Sequence, residues 1–296
     1  MSDNFESSLI NLGELSKPAT VLVEKISDAV GGIFKPYQIV RVAKAEAQAD
    51  RVRAEVQIEI SDLQRRAFHR FLEEEAKKQK NIEDITQKAL PLLNENSKPN
   101  EVEDDWITHF FDRCRLISEE QMQTLWSRIL AGEANSPGTY SKRTLSILSD
   151  LEQYDASLFK QLCSFRLEIP EYSKPVPVVY ESDDFYKHLG INTETLDHLE
   201  SIGLIKHTSS EYHRLHFFSQ SSSTYSWIRY FDERILLRAT DDRKDLPLGH
   251  VMLTKAGEEI ASICASEAEE GFIRYLIDVW ISNGIIQDYE RDWYQG

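Results

Sequence analysis

The chain has 296 residues, of which 41% are hydrophobic and 28% are charged, and its formal net charge is −16. These values exclude wholesale disorder, and the length suffices for two domains that each bury a core. The acidic balance disfavours binding to bulk nucleic acid or to an anionic membrane surface. No stretch approaches the ~18 consecutive apolar residues of a membrane-spanning helix, and residues 1–13 carry acids without a base, unlike a secretory signal. We therefore expect a soluble, cytoplasmic protein.

The first predicted element is an amphipathic helix at residues 16–34, with Leu22, Val23 and Ile26 on one side. Such a helix packs in a core, pairs with a partner, or lies on a membrane surface. Its acidic residues favour core or partner packing, and peripheral membrane contact by residues 16–34 stays open as the alternative.

Residues 37–93 are predicted to contain one long, charged, coiled-coil-like helix, because glycine is absent and proline first recurs at Pro91. Its apolar residues recur at steps of three and four, which gives a narrow stripe that needs a second helix to cover it. At ~1.5 Å per residue, the helix at 16–34 is less than half as long as the stripe. A second copy of the chain is the simplest cover, and the competing cover is the helix near 272–280. We predict a homo-oligomer with this interface: Ala49, Val52, Val56, Ile60 and Leu63.

Residues 94–105 are polar and are predicted to be a linker before a small helical unit at 106–166. Four local signals divide that unit into helices: a capping box at 118–121, a turn at 135–138, and N-caps at Ser141 and Asp155.

Residues 126–145 allow two interpretations, a well-packed helical hairpin or a binding surface. The tryptophan and leucines in this segment are expected in the core. The polar residues form the candidate interaction surface: Glu133, Asn135, Lys142 and Arg143.

Residues 167–265 follow the order of a winged helix. Two helices, the second ending at Gly203, precede three β-rich stretches and a helix that begins near Leu253. Residues 266–296 are predicted to form a last helix and a tail. Together with the long helices of residues 1–93, this predicts a mainly α protein with an α+β C-terminal part.

Phosphate-binding loops, hydrolase elbows and cysteine- or histidine-based zinc motifs are all absent from the sequence. His213 and His216 would point to opposite faces of a strand, which is poor ligand geometry, so we expect no metal and no cofactor. Acids beside a lysine at 183–187 and at 241–244 keep a divergent metal-dependent nuclease open as an alternative.

A DNA-binding regulator is the second alternative, because winged helices place the helix before the wing in the major groove. Here that helix carries Glu194, Asp197 and Glu200. Three carboxylates would repel phosphates, which favours protein binding over DNA binding.

The segments 12–20, 104–106, 126–145 and 253–264 resemble a bacterial family known only as a domain of unknown function. The long helix followed by the Trp126–Ala131 pattern is more distantly similar to the abortive-infection alpha proteins of phage defence. The first resemblance implies no activity, and the second implies a defence component. We expect a non-enzymatic, oligomeric protein-interaction or scaffold protein with an unidentified protein partner.

Overall fold

A computed structural model describes residues 15–30, 62–169, 174–208, 213–216, 225–240 and 245–293. The chain divides into two compact units, Met1–Ser149 and Asp150–Gly296. The five predicted segments (1–93, 94–105, 106–166, 167–265 and 266–296) are thus grouped into two, and the boundary expected near residue 93 falls inside unit 1.

Unit 1 is helical wherever it has described regular structure. Short 3-10 turns at Leu90–Leu92 and Pro99–Glu101 connect its longer helices. The α-helices are α1 (Lys17–Val30), α2 (Asp62–Ala89), α3 (Asp104–Cys114), α4 (Glu120–Asn135) and α5 (Lys142–Asp150).

The core of unit 1 forms around aromatic side chains of α3 and α4. Phe110 stacks on Trp106 at 5.2 Å between ring centroids and meets the Trp126 ring edge-on at the same distance. The C-terminal half of α2 packs on α4 and buries Ile85 there. Only this half of α2 has an apolar face that unit 1 covers.

Helix α1 packs on α3 and on the Pro99–Glu101 turn, and it buries Leu22, Val23 and Ile26. Lys25 donates a hydrogen bond to the Asn100 carbonyl at 2.9 Å. Core packing is therefore confirmed for the described part of this helix. Peripheral membrane contact is wrong there, because the apolar face it would use is already buried.

The linker prediction for residues 94–105 is also wrong. Pro99 and Val102 are buried, and the backbone amide of Lys98 donates to the Ala134 carbonyl at 2.8 Å. The segment is polar because its outer side faces water, while its few apolar residues attach it to α1 and α4.

Two of the three predicted helix starts are shifted. Glu119, rather than Ser118, caps α4 and accepts from the amides of Gln121 and Met122. Ser141 accepts from the Thr144 amide at 3.2 Å, which confirms the cap of α5.

The third start, at α6, lies three residues before the predicted cap. Glu152 is the N-cap, and Asp155 occupies the third helical position, where it accepts from the Glu152 amide at 2.9 Å. An acidic side chain can serve either as the N-cap or as the third helical residue of a capping box. The sequence alone therefore does not show which of the two acids is the N-cap.

Unit 2 combines helices with small antiparallel sheets, which confirms the α+β part. Its helices are α6 (Gln153–Cys163), α7 (Asp184–His188), α8 (Thr193–Ser201), α9 (Lys255–Ala261) and α10 (Phe272–Ser282). Its strands are β1 (Arg166–Leu167), β2 (Val176–Pro177), β3 (Ile205–His207), β4 (His213–His216), β5 (Tyr225–Tyr230), β6 (Glu233–Ala239), β7 (Asp245–Gly249), β8 (Val251–Leu253) and β9 (Ile286–Trp293).

The strands pair as β1 with β2, β3 with β8, β4 with β7, and β5-β6-β9. Strand β9 was not predicted, because its alternation of charged residues indicates a solvated tail rather than a strand. It pairs with β6 over the whole of that strand. Helix α10, predicted at 272–280, is confirmed.

Two glycines allow backbone segments of unit 2 to approach each other closely. A Cβ on Gly249, whose φ is +92°, would lie 1.8 Å from the Val179 carbonyl oxygen. A Cβ on Gly257 would lie 2.0 Å from the Leu204 carbonyl oxygen. The second contact sets α9 directly against the end of α8 and the start of β3.

Candidate functional site

The N-terminal half of α2 differs from every other described helix, since each of residues 62–77 is exposed. It nevertheless carries large apolar side chains. Leu63 is 68% exposed, Phe68 49%, Phe71 56% and Leu72 46%. A globular protein rarely leaves such a set clustered in water unless the cluster contacts a partner. We call Leu63, Ala67, Phe68, Phe71 and Leu72 the α2 apolar face.

The α2 apolar face occupies one side of the helix. At about 100° per residue, its five members lie within about half of the circumference. The opposite side carries polar contacts one turn apart, an ion pair from Arg66 to Asp62 at 3.5 Å and a contact from His69 to Glu73 at 3.3 Å. An ion pair at this spacing stabilises an exposed helix by about 0.3–0.5 kcal/mol. These contacts help to keep this half helical without support from a core.

Charge is also sorted along the axis of this half-helix. Arg65, Arg66 and Arg70 precede the acidic run Glu73–Glu75. In an antiparallel pair of such helices centred between residues 69 and 70, Arg65 and Arg66 of one copy lie at the height of Glu74 and Glu73 of the other. In a parallel pair, like charges lie side by side. The distribution therefore favours an antiparallel arrangement.

Of the predicted oligomer interface, only Leu63 lies within the described residues, and it belongs to the α2 apolar face. Ala49, Val52, Val56 and Ile60 lie outside the described residues. The predicted stripe and the observed face meet at Leu63, so they form one continuous apolar pattern in the sequence.

Glu133, assigned above to the candidate interaction surface, is not on the surface. Its side chain is buried, with Oε1 accepting from the Gly138 amide at 2.6 Å and Oε2 from the Tyr140 amide at 2.9 Å. The Tyr140 carbonyl in turn accepts from the Trp106 indole N–H at 2.7 Å. Glu133 therefore fixes the turn between α4 and α5.

Asn135 is also used internally. Its Oδ1 accepts from the Asn94 amide at 2.9 Å and from the Ser97 hydroxyl at 2.5 Å, and its Nδ2 donates to the Leu92 carbonyl at 3.1 Å. These contacts hold the segment after α2 against the end of α4. Residues 126–135 are thus largely a packed structure.

Lys142 and Arg143 are exposed at the start of α5 and are the part of the predicted surface that the structure places on the outside. Lys142 lies 3.9 Å from the Asp105 carboxylate. Among the described residues, Lys142 and Arg143 do not form a cluster with the α2 apolar face.

The acids of the nuclease alternative are only partly described. Asp183 accepts from the Tyr275 hydroxyl, and Lys187 pairs with Asp184 at 3.3 Å at the start of α7. The residues at 241–244 lie outside the described residues. Asp183 therefore accepts a hydrogen bond, and Asp184 is an acid at the start of a helix.

A histidine held between acids was missed by the sequence analysis. The side chain of His207, at the end of β3, is 3% exposed. Its Nε2 lies 2.5 Å from Glu181 Oε2, and its Nδ1 lies 2.7 Å from Asp197 Oδ1. The His207 backbone amide donates to Glu200 Oε1 at 3.0 Å. Asp197 and Glu200 are one turn apart on α8, and only the β3–α8 packing brings them to the histidine.

The pKa of His207 reflects these neighbours. Burial alone lowers this pKa. The hydrogen bonds to Asp197 and Glu181 and the charges of both carboxylates raise it by more, so the net shift is upward.

No helix in the described part of the chain is long and apolar enough to cross a membrane. A family model with the description "Protein of unknown function (DUF2806)" matches residues 65–277, more than two thirds of the chain. The match includes the α2 apolar face except Leu63, the α4–α5 turn and the His207 site. No curated protein and no solved structure matches the chain.

Proposed function

We propose that this chain, which belongs to the DUF2806 family of proteins of unknown function, is a non-enzymatic homo-oligomer that acts by binding other proteins. The observation that supports this most directly is the α2 apolar face. Four large apolar side chains there are 46–68% exposed on a helix that is otherwise well formed. The occupant that we propose for this face is the same face of a second copy.

The charge pattern supports a second copy, arranged antiparallel. Gln64 and Glu75 both lie near the centre of the α2 apolar face, and in a pair centred between residues 69 and 70 they lie at the same height. Phe68 and Phe71 then lie at the same height as well. An isologous two-fold contact of this kind is the commonest in soluble oligomers.

The length of the apolar pattern also supports a second copy. Residues 62–77 form about 24 Å of helix at ~1.5 Å per residue. No segment of unit 1 that the structure describes covers this length.

Cysteine cross-linking tests both the contact and its direction. In a background with Cys264→Ser, the double variant Gln64→Cys/Glu75→Cys should form disulfide-linked dimers under mild oxidation, because facing helices bring Cα atoms within the ~7 Å that a disulfide spans. The single variant Gln64→Cys is the matched control. Its two copies would lie about 16 Å apart along the antiparallel pair and should stay unlinked. In a parallel pair both variants would link, so linkage of the single variant, or no linkage of the double variant, would contradict the proposal.

The winged-helix interpretation is consistent with this function. Helices α7 and α8, strand β3 paired with β8, and α9 follow in the expected order. Helix α8 carries carboxylates at the positions where a DNA-reading helix carries basic side chains. We therefore propose that unit 2 binds protein rather than DNA. The likeness to abortive-infection proteins makes phage defence the setting that we propose, and the genes next to its own test that setting.

The nuclease alternative has its own test. Plasmid DNA and RNA incubated with the full chain and Mg²⁺ or Mn²⁺ should stay intact. Cleavage that is lost on Asp184→Ala or Asp241→Ala would replace the proposed function with an enzymatic one.

A further inference from the structure

The His207 site has the arrangement of a metal-binding histidine with its supporting carboxylate. Glu181 accepts the Nε2 hydrogen and thereby fixes the ring, while Nδ1 faces α8. Histidines that ligate metals almost always donate their second N–H to a carboxylate or a carbonyl, which fixes the tautomer and the ring direction. Glu181, which lies outside α8 and β3, occupies that supporting position.

The ligand atoms on the Nδ1 side are close enough to share one ion. One carboxylate oxygen each of Asp197 and Glu200 and one ring nitrogen of His207 all lie within 4.8 Å of one another. Bonds of 2.0–2.2 Å in a tetrahedral site place ligand atoms about 3.3–3.6 Å apart. The Asp197 oxygen must therefore move outward by about 0.6–0.9 Å from its 2.7 Å contact. Because its side chain is 63% exposed, this movement meets little resistance.

The charge of the site also favours a cation. Three carboxylates surround one imidazole, so the set carries a formal charge of −2 even with a fully protonated ring. Within the described part of the chain, no lysine or arginine pairs with Glu181, Asp197 or Glu200. A divalent ion would compensate this charge and would replace the hydrogen between Nδ1 and Asp197.

We propose that Asp197, Glu200 and the Nδ1 atom of His207 bind a divalent transition-metal ion, with Glu181 as the positioning residue behind the ring. One imidazole and two carboxylates suit Zn²⁺, Co²⁺ or Ni²⁺ better than Mg²⁺ or Ca²⁺, which prefer oxygen ligands alone. Water completes the coordination. The ion would join α8 to β3 inside unit 2. This proposal does not depend on self-association through α2.

Cobalt titration of the metal-free, untagged full chain tests the site. The visible d–d bands of Co²⁺ should appear and saturate at one ion per chain, and Zn²⁺ should remove them. Asp197→Asn and Glu200→Gln change exposed side chains, so both should leave the fold intact and weaken Co²⁺ binding at least tenfold. Glu181→Gln should weaken it by about 10–100-fold through the ring orientation.

His188→Ala is the matched control, because His188 is exposed on α7, close in sequence but outside the site. It should bind Co²⁺ as the unmodified chain does. Far-UV circular dichroism of each variant reports whether it is folded. The proposal is overturned if the folded chain gives no saturable Co²⁺ bands at a metal concentration of about 100 μM. It is equally overturned if Asp197→Asn and Glu200→Gln leave the affinity unchanged.

Discussion

Removal of the Glu133 carboxylate should destabilise unit 1 strongly for a single side chain. Both oxygens accept backbone amides, at 2.6 and 2.9 Å. A hydrogen bond to a charged group contributes about 1.5–3 kcal/mol. The Gly138 amide lies in an exposed turn and can bind water instead, whereas the Tyr140 amide is buried and would stay unsatisfied. We therefore expect Glu133→Ala to lower the free energy of unfolding by about 2–4 kcal/mol.

Glu133→Gln separates charge from shape. The amide keeps one acceptor oxygen but turns an NH2 group toward a backbone N–H, so about half of the effect should remain. Urea unfolding measured by circular dichroism gives the free energy, and hydrogen exchange at residues 136–141 locates the loosening. Lys142→Ala, which changes an exposed side chain at the start of α5, is the control and should change the free energy of unfolding by no more than ~0.5 kcal/mol. A Glu133→Ala effect as small as that of Lys142→Ala would refute the structural role assigned to Glu133.

Three further results are expected. Gly257→Ala should destabilise unit 2 in thermal unfolding, although alanine normally stabilises a helix by up to about 1 kcal/mol, because the new Cβ would lie 2.0 Å from the Leu204 carbonyl oxygen; an unchanged or raised Tm would contradict the close approach. Burial raises the pKa of Asp155, but hydrogen bonds from a histidine on α8 and from a backbone amide lower it more, so its net pKa is below the ordinary 3.8. Its stabilising effect is then complete above that pH and is lost as the pH falls through the lower folded value, so Asp155→Asn should show a shallower loss of stability below about pH 4 than the unmodified chain; equal slopes would contradict this. Alanine at both Lys142 and Arg143 should leave stability within about 1 kcal/mol, and a larger loss would mean that they are structural.

The sequence predicted the helices well where periodicity and breakers agreed. Helices α3, α4 and α10 lie where the spacing of apolar residues indicates them, and Gly203, with φ of +83°, ends the predicted helix before β3. Strand β9 escaped prediction because five of its eight residues are polar or charged. Its partner β6 supplies the pairing, and a partner distant in sequence leaves no local pattern.

The functional residues divide in the same way. Leu63 was predicted as part of an apolar stripe, which is a local pattern in the sequence, and the structure places it on the α2 apolar face. Glu133 and Asn135 were assigned to a surface because polar residues are usually exposed, but backbone amides of a turn and of a distant segment need them as acceptors. The residues of the His207 site lie just before α7, on α8 and on β3. Their spacing matches no common motif, so only the folded arrangement brings them together.

The central proposal, self-association through the α2 apolar face, is tested most directly by light scattering on the full chain at micromolar concentration. Phe71 is 56% exposed, so its burial in a pair would contribute about 1 kcal/mol per copy. Phe71→Glu removes this contribution from both copies, about 2 kcal/mol, which weakens the pair at least 30-fold, before the repulsion of the new charges is added.

His69→Glu introduces the same new carboxylate on the opposite, polar side of the helix and is the matched control. We expect the mass of a dimer or higher oligomer for the unmodified chain and for His69→Glu, and the mass of a monomer for Phe71→Glu. A monomeric unmodified chain, or an oligomer that is unchanged by Phe71→Glu, would contradict the proposal.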